Sequence, residues 1–307
     1  MPAAQDASFS DKLVSHAFDR LDRLRDQLDA ALGSGEVDAV HGTRVASRRL
    51  NEALLIMSPW LNCADAKMAR RSLRKLRDAF RKVRDLDVLQ MSLAQPPPGL
   101  DPGSLAQLEG FLTRRREKAL ARAIRKAGRI GPDQLIRHIS RLSKQFERRF
   151  DDSQDSLVER LSAQFQKLAN VILEHEPRSE SADLHFVRLR VKRARYGAEL
   201  AHRVGATSDD TLIKQLTEMQ DRTGRWNDHL SAARWIARLA RRRQAVARQT
   251  AWSLRLLEYT VQRLHAAESE RGQILERWPE FESTLRASAW FRGSAVSAQP
   301  PQPAPAS

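Results

Sequence analysis

Two stretches of this chain carry histidine and arginine at matching helical spacing. The first is His41-Gly-Thr-Arg44-Val-Ala-Ser-Arg48-Arg49-Leu50. The second is His185-Phe-Val-Arg188-Leu-Arg190-Val-Lys192-Arg193-Ala-Arg195-Tyr196. Residues i, i+3, i+7 and i+10 share one face of an α-helix. His41, Arg44 and Arg48 therefore point the same way, and so do His185, Arg188, Lys192 and Arg195. Cations stacked like this repel by about a few tenths of a kcal/mol per exposed pair. A chain that keeps the pattern twice is expected to offer a seat to an anion. Arginine suits a phosphate because its fork donates two hydrogen bonds to one group. Glu52 and Glu199 fall on the same faces and read as local counter-charges that hold the arginines in place.

The two stretches align at an offset of 144, pairing Arg44 with Arg188, Arg48 with Lys192 and Arg49 with Arg193. Val83-Arg84-Asp85 aligns with Trp226-Asn227-Asp228 at an offset of 143, so the chain reads as a duplication. Arg70, Arg74, Arg77, Arg81 and Arg84 are spaced 4, 3, 4 and 3, which makes one basic ridge beside the apolar stripe Leu73, Leu76, Phe80 and Val83. Asp85 and Asp228 are expected to take hydrogen bonds from nearby arginines and to orient them, and Asp87 to be a buried partner. The two motif histidines lack carboxylates or thiols at metal-ligand spacing, so no metal site is expected. A histidine beside bound phosphate could donate a hydrogen bond and gain charge below neutral pH.

Long helical periods dominate the chain, and strand-like alternation is nearly absent. The spacing predicts helices over about Ser10–Leu32, Val37–Met57, Asp65–Leu93, Ser104–Lys126 and Asp133–Phe150. Further helices are predicted over about Gln154–Glu174, Ala182–Val204, Ser208–Arg243, Ala245–Ala266 and Glu270–Ala287. Gly33-Ser34-Gly35 and the run from Gln95 to Gly103, with four prolines, are the main breaks. The fold class is all-α, in two halves of four main helices each: 9–150 and 151–290. A flexible N-terminus, 1–8, and a disordered Pro/Ala-rich tail, 291–307, are expected at the ends.

Composition narrows the function classes. Lys and Arg number 53 against 38 Asp and Glu, a formal charge of +15, which favours polyanionic partners. Aromatic residues make up only 6%, too few for the stacking platforms of single-strand binding. Trp226, Trp235 and Trp252 sit in helical patterns and read as core. Cys63 is the one cysteine, so an internal disulfide is excluded. No secretory pattern opens the chain and the longest apolar run, Ala53 to Met57, is far too short for a membrane span, so a cytoplasmic location is expected. No Gly-rich phosphate loop and no paired carboxylates suggest catalysis.

The motifs at His41, at Arg84-Asp85-Leu86-Asp87-Val88 and at His185 together resemble the CHAD domain, the conserved-histidine α-helical domain. The likeness runs from about Phe9 to Leu285. It implies two four-helix bundles related by pseudo-two-fold symmetry, with additional short helices. It also implies inorganic polyphosphate binding at a basic surface where the halves meet. A scaffold that places granule-associated proteins on polyphosphate granules is a further reading compatible with this. No cofactor or catalysis is implied, and nucleic acid is expected to bind only non-specifically. A nucleic-acid-binding basic helical protein is the alternative. By the family pattern the basic motif positions are His41, Arg44, Arg48, Arg49, His185, Arg188, Lys192 and Arg195. Arg193, by its alignment with Arg49, and the Arg70–Arg84 ridge complete the candidate surface. Asn51 stands where the family often has another arginine, in register with Arg195, so the first helix is expected to be one cation short. Arg81 stands where a glycine is frequent, whereas the second half keeps Gly224.

Overall fold

The computed structural model describes residues 9–58, 60–93, 102–149, 154–175, 181–207, 209–241 and 250–288. Among them are ten helices and no strand. These are α1 (Phe9–Gly33), α2 (Val37–Met57), α3 (Cys63–Ala79), α4 (Arg81–Ser92) and α5 (Pro102–Gly128). They continue with α6 (Pro132–Arg149), α7 (Gln154–Glu174), α8 (Ser181–Val204), α9 (Asp210–Ala240) and α10 (Thr250–Ala287). The all-α expectation holds. The segments 1–8 and 291–307, most of the proline-rich run, Phe150 and the side chain of Trp252 lie outside the described residues.

Each helix forms because its apolar residues return every three or four positions and find a neighbour to bury them. In α1, Leu13, Ala17, Leu21, Leu24 and Leu28 are all buried. The α1–α2 turn is closed by Gly35 at φ +66, where a Cβ would stand 2.2 Å from the Leu120 side chain of α5. Asn62 caps α3 by accepting from the backbone N–H of Ala64 and Asp65.

Helices α1, α2, α3 and α6 pack together, α5 lies on α3 and α4, and α7 to α10 pack in chain order. Helix α8 joins the two groups by touching α1 and α2, and α4 touches α9. One large apolar cluster runs through both groups, from Leu13 to Leu285. A smaller cluster ties α4 and α5 to α9 and α10 through residues such as Leu89, Leu112, Ile236 and Leu256. The two halves of the sequence therefore share a core.

Two expectations about helix boundaries are corrected. The single helix expected over Asp65–Leu93 is two helices, broken at Phe80 with φ −88 and ψ 0. No glycine or proline forces the break. Phe80 is fully buried, and its carbonyl accepts the Arg84 N–H that starts α4. Burial of so large a side chain is worth about 3–5 kcal/mol by the cost of truncating it to alanine, enough to re-aim a helix. The second correction is at the C-terminus. The break expected between Ala266 and Glu270 is absent, and α10 runs 38 residues with Pro279 inside it. Buried Ala267, Ile274, Trp278, Phe281 and Leu285 hold that length against the bundle.

Candidate functional site

Helices α2 and α8 meet, and their charged residues sort into two sets. The first set is tied across the contact. Arg49 of α2 pairs with Glu199 of α8 at 3.0 Å, and Arg193 of α8 pairs with buried Glu52 of α2 at 3.4 Å. Arg195 adds a second partner to Glu199 at 3.4 Å. Tyr196, almost fully buried, lies under the guanidinium groups of both Arg49 and Arg195, and its hydroxyl accepts from Arg48 at 3.4 Å. The expected counter-charges are present, but the arginines at the repeat-matched positions 49 and 193 are each balanced from the opposite half of the chain. Arg195, the extra cation of the second helix, is partly neutralised by Glu199.

The second set is crowded and poorly balanced. His41, Arg44 and Arg48 from α2, Arg84 from α4, and Arg188 and Lys192 from α8 act on one another electrostatically. Lys192 shows the result most clearly. Burial and then Arg48, Arg188, Arg195 and Arg44 push its pKa down to about 6. Burial followed by Arg48 lowers Arg44 to about 10. His41 is held below the usual histidine value by burial first, then by Arg84, Lys192, Arg48 and Arg44. His185 is exposed at the start of α8.

Asp85 and Asp228 sit at the edge of this cluster. Burial raises both carboxyls above the usual value, and of the surrounding charges Arg44 opposes this most at Asp85 and Arg188 most at Asp228. Arg44 and Arg188 occupy matched positions, as do Asp85 and Asp228, so the same charge relation recurs, but the expected arginine hydrogen bonds to these carboxylates are not made among the described residues and Asp228 is instead hydrogen-bonded to Asn227. Asp87 points the other way. It is buried, accepts from Arg116 at 2.5 Å, and Arg116 also donates to the Gly35 carbonyl at 2.7 Å. That one arginine fixes α4 to the α1–α2 turn.

The break at Phe80 divides the expected ridge. Arg74, Arg77 and Arg81 line a surface cleft of about 280 Å³ together with Arg44, Arg48 and Asp78. Arg44 donates to the Arg77 carbonyl at 2.5 Å, and Arg77 donates to the Ser47 carbonyl at 3.2 Å, which locks α2 to α3. Arg81 pairs with Asp78. Arg70 lies instead near Glu52 and Arg193, and Arg84 acts on His41 and Asp228. The five arginines thus serve three places.

Residues outside the sequence expectation also gather here. His16 and Arg20 of α1 are buried beside Arg49 and Glu199; Arg20 donates to His16 at 3.4 Å. Burial, followed by Arg20, takes the His16 pKa down to about 3. Their spacing of four on an otherwise apolar face was the available signal. A second cleft, of about 230 Å³, lies between α4 and α9 and includes Lys82, Asp85, Asp228, Arg234, Trp235 and Arg238. Trp226 is buried as expected, whereas Trp235 borders this cleft. No group of three His, Cys, Asp or Glu residues able to hold a metal forms among the described residues. No helix among them is long and apolar enough to cross a membrane.

The site is a pocketed basic surface built by two repeat-related helices on an all-α scaffold. The CHAD domain profile matches residues 16–237, and the chain belongs to that family. Its fold is similar to the crystal structure of the CHAD domain from the plant Ricinus communis. The TM-score there is 0.64 at 19% identity, covering 94% of this chain and 95% of that one. It is also similar to PptA from Streptomyces chartreusis, with TM-score 0.61 at 18% identity, covering 89% of this chain and 100% of that one. No curated protein matches.

Proposed function

We propose that this protein is a non-catalytic module that binds inorganic polyphosphate, with His41, Arg44, Arg48, Arg84, Arg188 and Lys192 at its centre and Arg74, Arg77 and Arg81 along its flank. One observation carries the reading: the fold gathers six basic residues from α2, α4 and α8 within electrostatic reach of one another, partly buried. A phosphate chain relieves their mutual repulsion and offers further acceptors to these donors. Family membership supports polyphosphate as the anion, because the CHAD resemblance implies it. Arg49, Arg193 and Arg195 act by positioning the helices, since each has a carboxylate partner. Asp85 and Asp228 orient Arg44 and Arg188. In the cell the protein sits on polyphosphate granules and carries partners there.

Nucleic acid is the competing polyanion. Titration of labelled long-chain polyphosphate, with duplex DNA as competitor at equal phosphate concentration, separates the two. Polyphosphate should resist displacement, and its affinity should fall steeply with salt as counterions are released. Efficient displacement by DNA would sink the specific reading. Incubation of polyphosphate with the protein and Mg²⁺ should release no phosphate; release abolished by His41→Ala would make it an enzyme. A fluorescent fusion should mark polyphosphate granules, and its Arg44→Ala/Arg188→Ala variant should not.

A further inference from the structure

The cleft between α4 and α9 is not part of the central cluster, yet it borders it. Its walls bring Lys82 from α4 opposite Arg234 and Arg238 from α9, with Asn227 and Ser231 as further polar groups and the carboxylates of Asp85 and Asp228 on its lining as well. Its volume of about 230 Å³ is close to the 280 Å³ of the arginine cleft between α2 and α3.

The two arginines depart from the habit of their neighbourhood. On α9 and α10 exposed arginines have acids within reach: Arg225 with Glu270 at 2.7 Å, Arg255 with Glu258 at 3.0 Å, and Arg277 with Glu280 at 2.9 Å. Arg234 and Arg238 make no such ion pair among the described residues, and no acid lies three or four residues from either. Arg238 spends only its Nε, which donates to the Arg234 carbonyl at 3.1 Å. Two guanidinium groups one turn apart are thus left facing a cleft with a lysine across it. Exposed like charges one turn apart cost stability, and the two acids that line the cleft, Asp85 and Asp228, form no ion pair with either arginine among the described residues.

Asp85 and Asp228 stand between the two basic regions. Asp85 feels Arg44 from the centre and Lys82 from the cleft, while Asp228 feels Arg188 and Lys192. Phosphates cannot lie on these carboxylates, so an anion short enough to fit the centre stays there. A longer one can pass over the aspartates and be held again on the far side.

We propose that Lys82, Arg234 and Arg238 form a second phosphate subsite, which engages the continuation of a polyphosphate chain already seated in the central cluster. This rests on the polyphosphate reading and makes the protein a sensor of chain length. Joining two weak sites through one ligand raises affinity because the second contact becomes intramolecular.

The full chain is titrated with tripolyphosphate and with long-chain polyphosphate at equal total phosphate and fixed salt. The unaltered protein should bind the long chain at least about tenfold more tightly. Arg234→Ala/Arg238→Ala should leave tripolyphosphate affinity unchanged and bring the long-chain value most of the way down to it. A long-to-short ratio that survives the double substitution would overturn the subsite while leaving the central reading intact. Arg44→Ala/Arg188→Ala should weaken both lengths together; failure there strikes the central reading instead. A single-stranded oligonucleotide is the third ligand. If the α9 variant loses oligonucleotide but keeps its long-chain preference, the cleft serves nucleic-acid phosphates and the proposal is wrong.

Discussion

Helices α2 and α8 carry the same motif, but their surroundings give it different properties. On α2 the central arginine is built into the scaffold: Arg44 donates to the Arg77 carbonyl and so fastens α3. On α8 its counterpart Arg188 faces Asp228 and makes no comparable backbone tie across helices among the described residues. At the next repeat position Arg48 reaches Tyr196, whereas Lys192 is forced toward neutrality. Beside α2 lies a cleft lined by Arg74 and Arg77 of α3. Duplicated residues keep their chemistry, but each neighbour decides whether that chemistry goes into holding the fold or into waiting for a ligand.

The sharpest way to break this comparison is to remove the matched arginines one at a time. Each should cost about tenfold or more in polyphosphate affinity, from a charged hydrogen bond worth about 1.5–3 kcal/mol. Only Arg44→Ala should also lower the melting temperature, because it strips a donor from the Arg77 carbonyl. Equal thermal shifts for Arg44→Ala and Arg188→Ala would erase the asymmetry. Calorimetry on the free and polyphosphate-bound variants reads both effects.

Lys192 supplies the next largest effect. Its pKa of about 6 lies below the 10.5 of the unfolded chain. The unfolded state therefore binds the extra proton between those values, and this group makes stability rise with pH across that window. Bound phosphate favours the charged form, so binding takes up a proton above about pH 6. Affinity should grow as pH falls toward 6, and buffers of different ionisation enthalpy should report the uptake. Lys192→Met should raise the melting temperature, weaken binding several-fold and abolish the pH-dependent uptake. Retained uptake would assign it to another group.

The cross-helix pairs come third. Glu52 is buried and Glu199 is only partly so, and Arg193 is more exposed than Arg49. Removing either acid should destabilise by about 1–2 kcal/mol, a buried-pair penalty discounted for solvent exposure. Denaturant unfolding should show the larger loss for Glu52→Ala, and a larger loss for Glu199→Ala would invert the assignment of burial. The smallest effect is expected at the motif histidines. Burial and the surrounding cations disfavour the charged form of His41, so His41→Ala should weaken binding less than loss of either motif arginine does, as titration at neutral pH would show. His185→Ala removes the matching side chain at an exposed position and serves as the comparison.

Much of this was legible in the sequence for a simple reason. Helix periodicity is local, and α2 and α7 end where their spacing says they should. The basic faces at His41 and His185 are local too. What depends on distant packing was not legible. Phe80 breaks a helix whose own residues give no cause, because its ring is claimed by the core. Continuous burial along one side carries α10 through a segment that reads as a gap. Glu52 and Glu199 could be picked out as counter-charges, but not their partners, since no spacing rule reveals which helices meet. Arg234 and Arg238 give a faint signal, an arginine pair without acids three or four residues away, but they lie outside the matched motifs.

The exchange of partners between Arg49 with Glu199 and Arg193 with Glu52 has a consequence for how the chain can be divided. Here each half lends the other an acid, and both feed the same apolar cluster. Severed near residue 150, either piece would keep the motif arginine but lose the carboxylate that steadies it. Each half depends on a carboxylate of the other, so the unit that keeps its basic face intact is the whole pair.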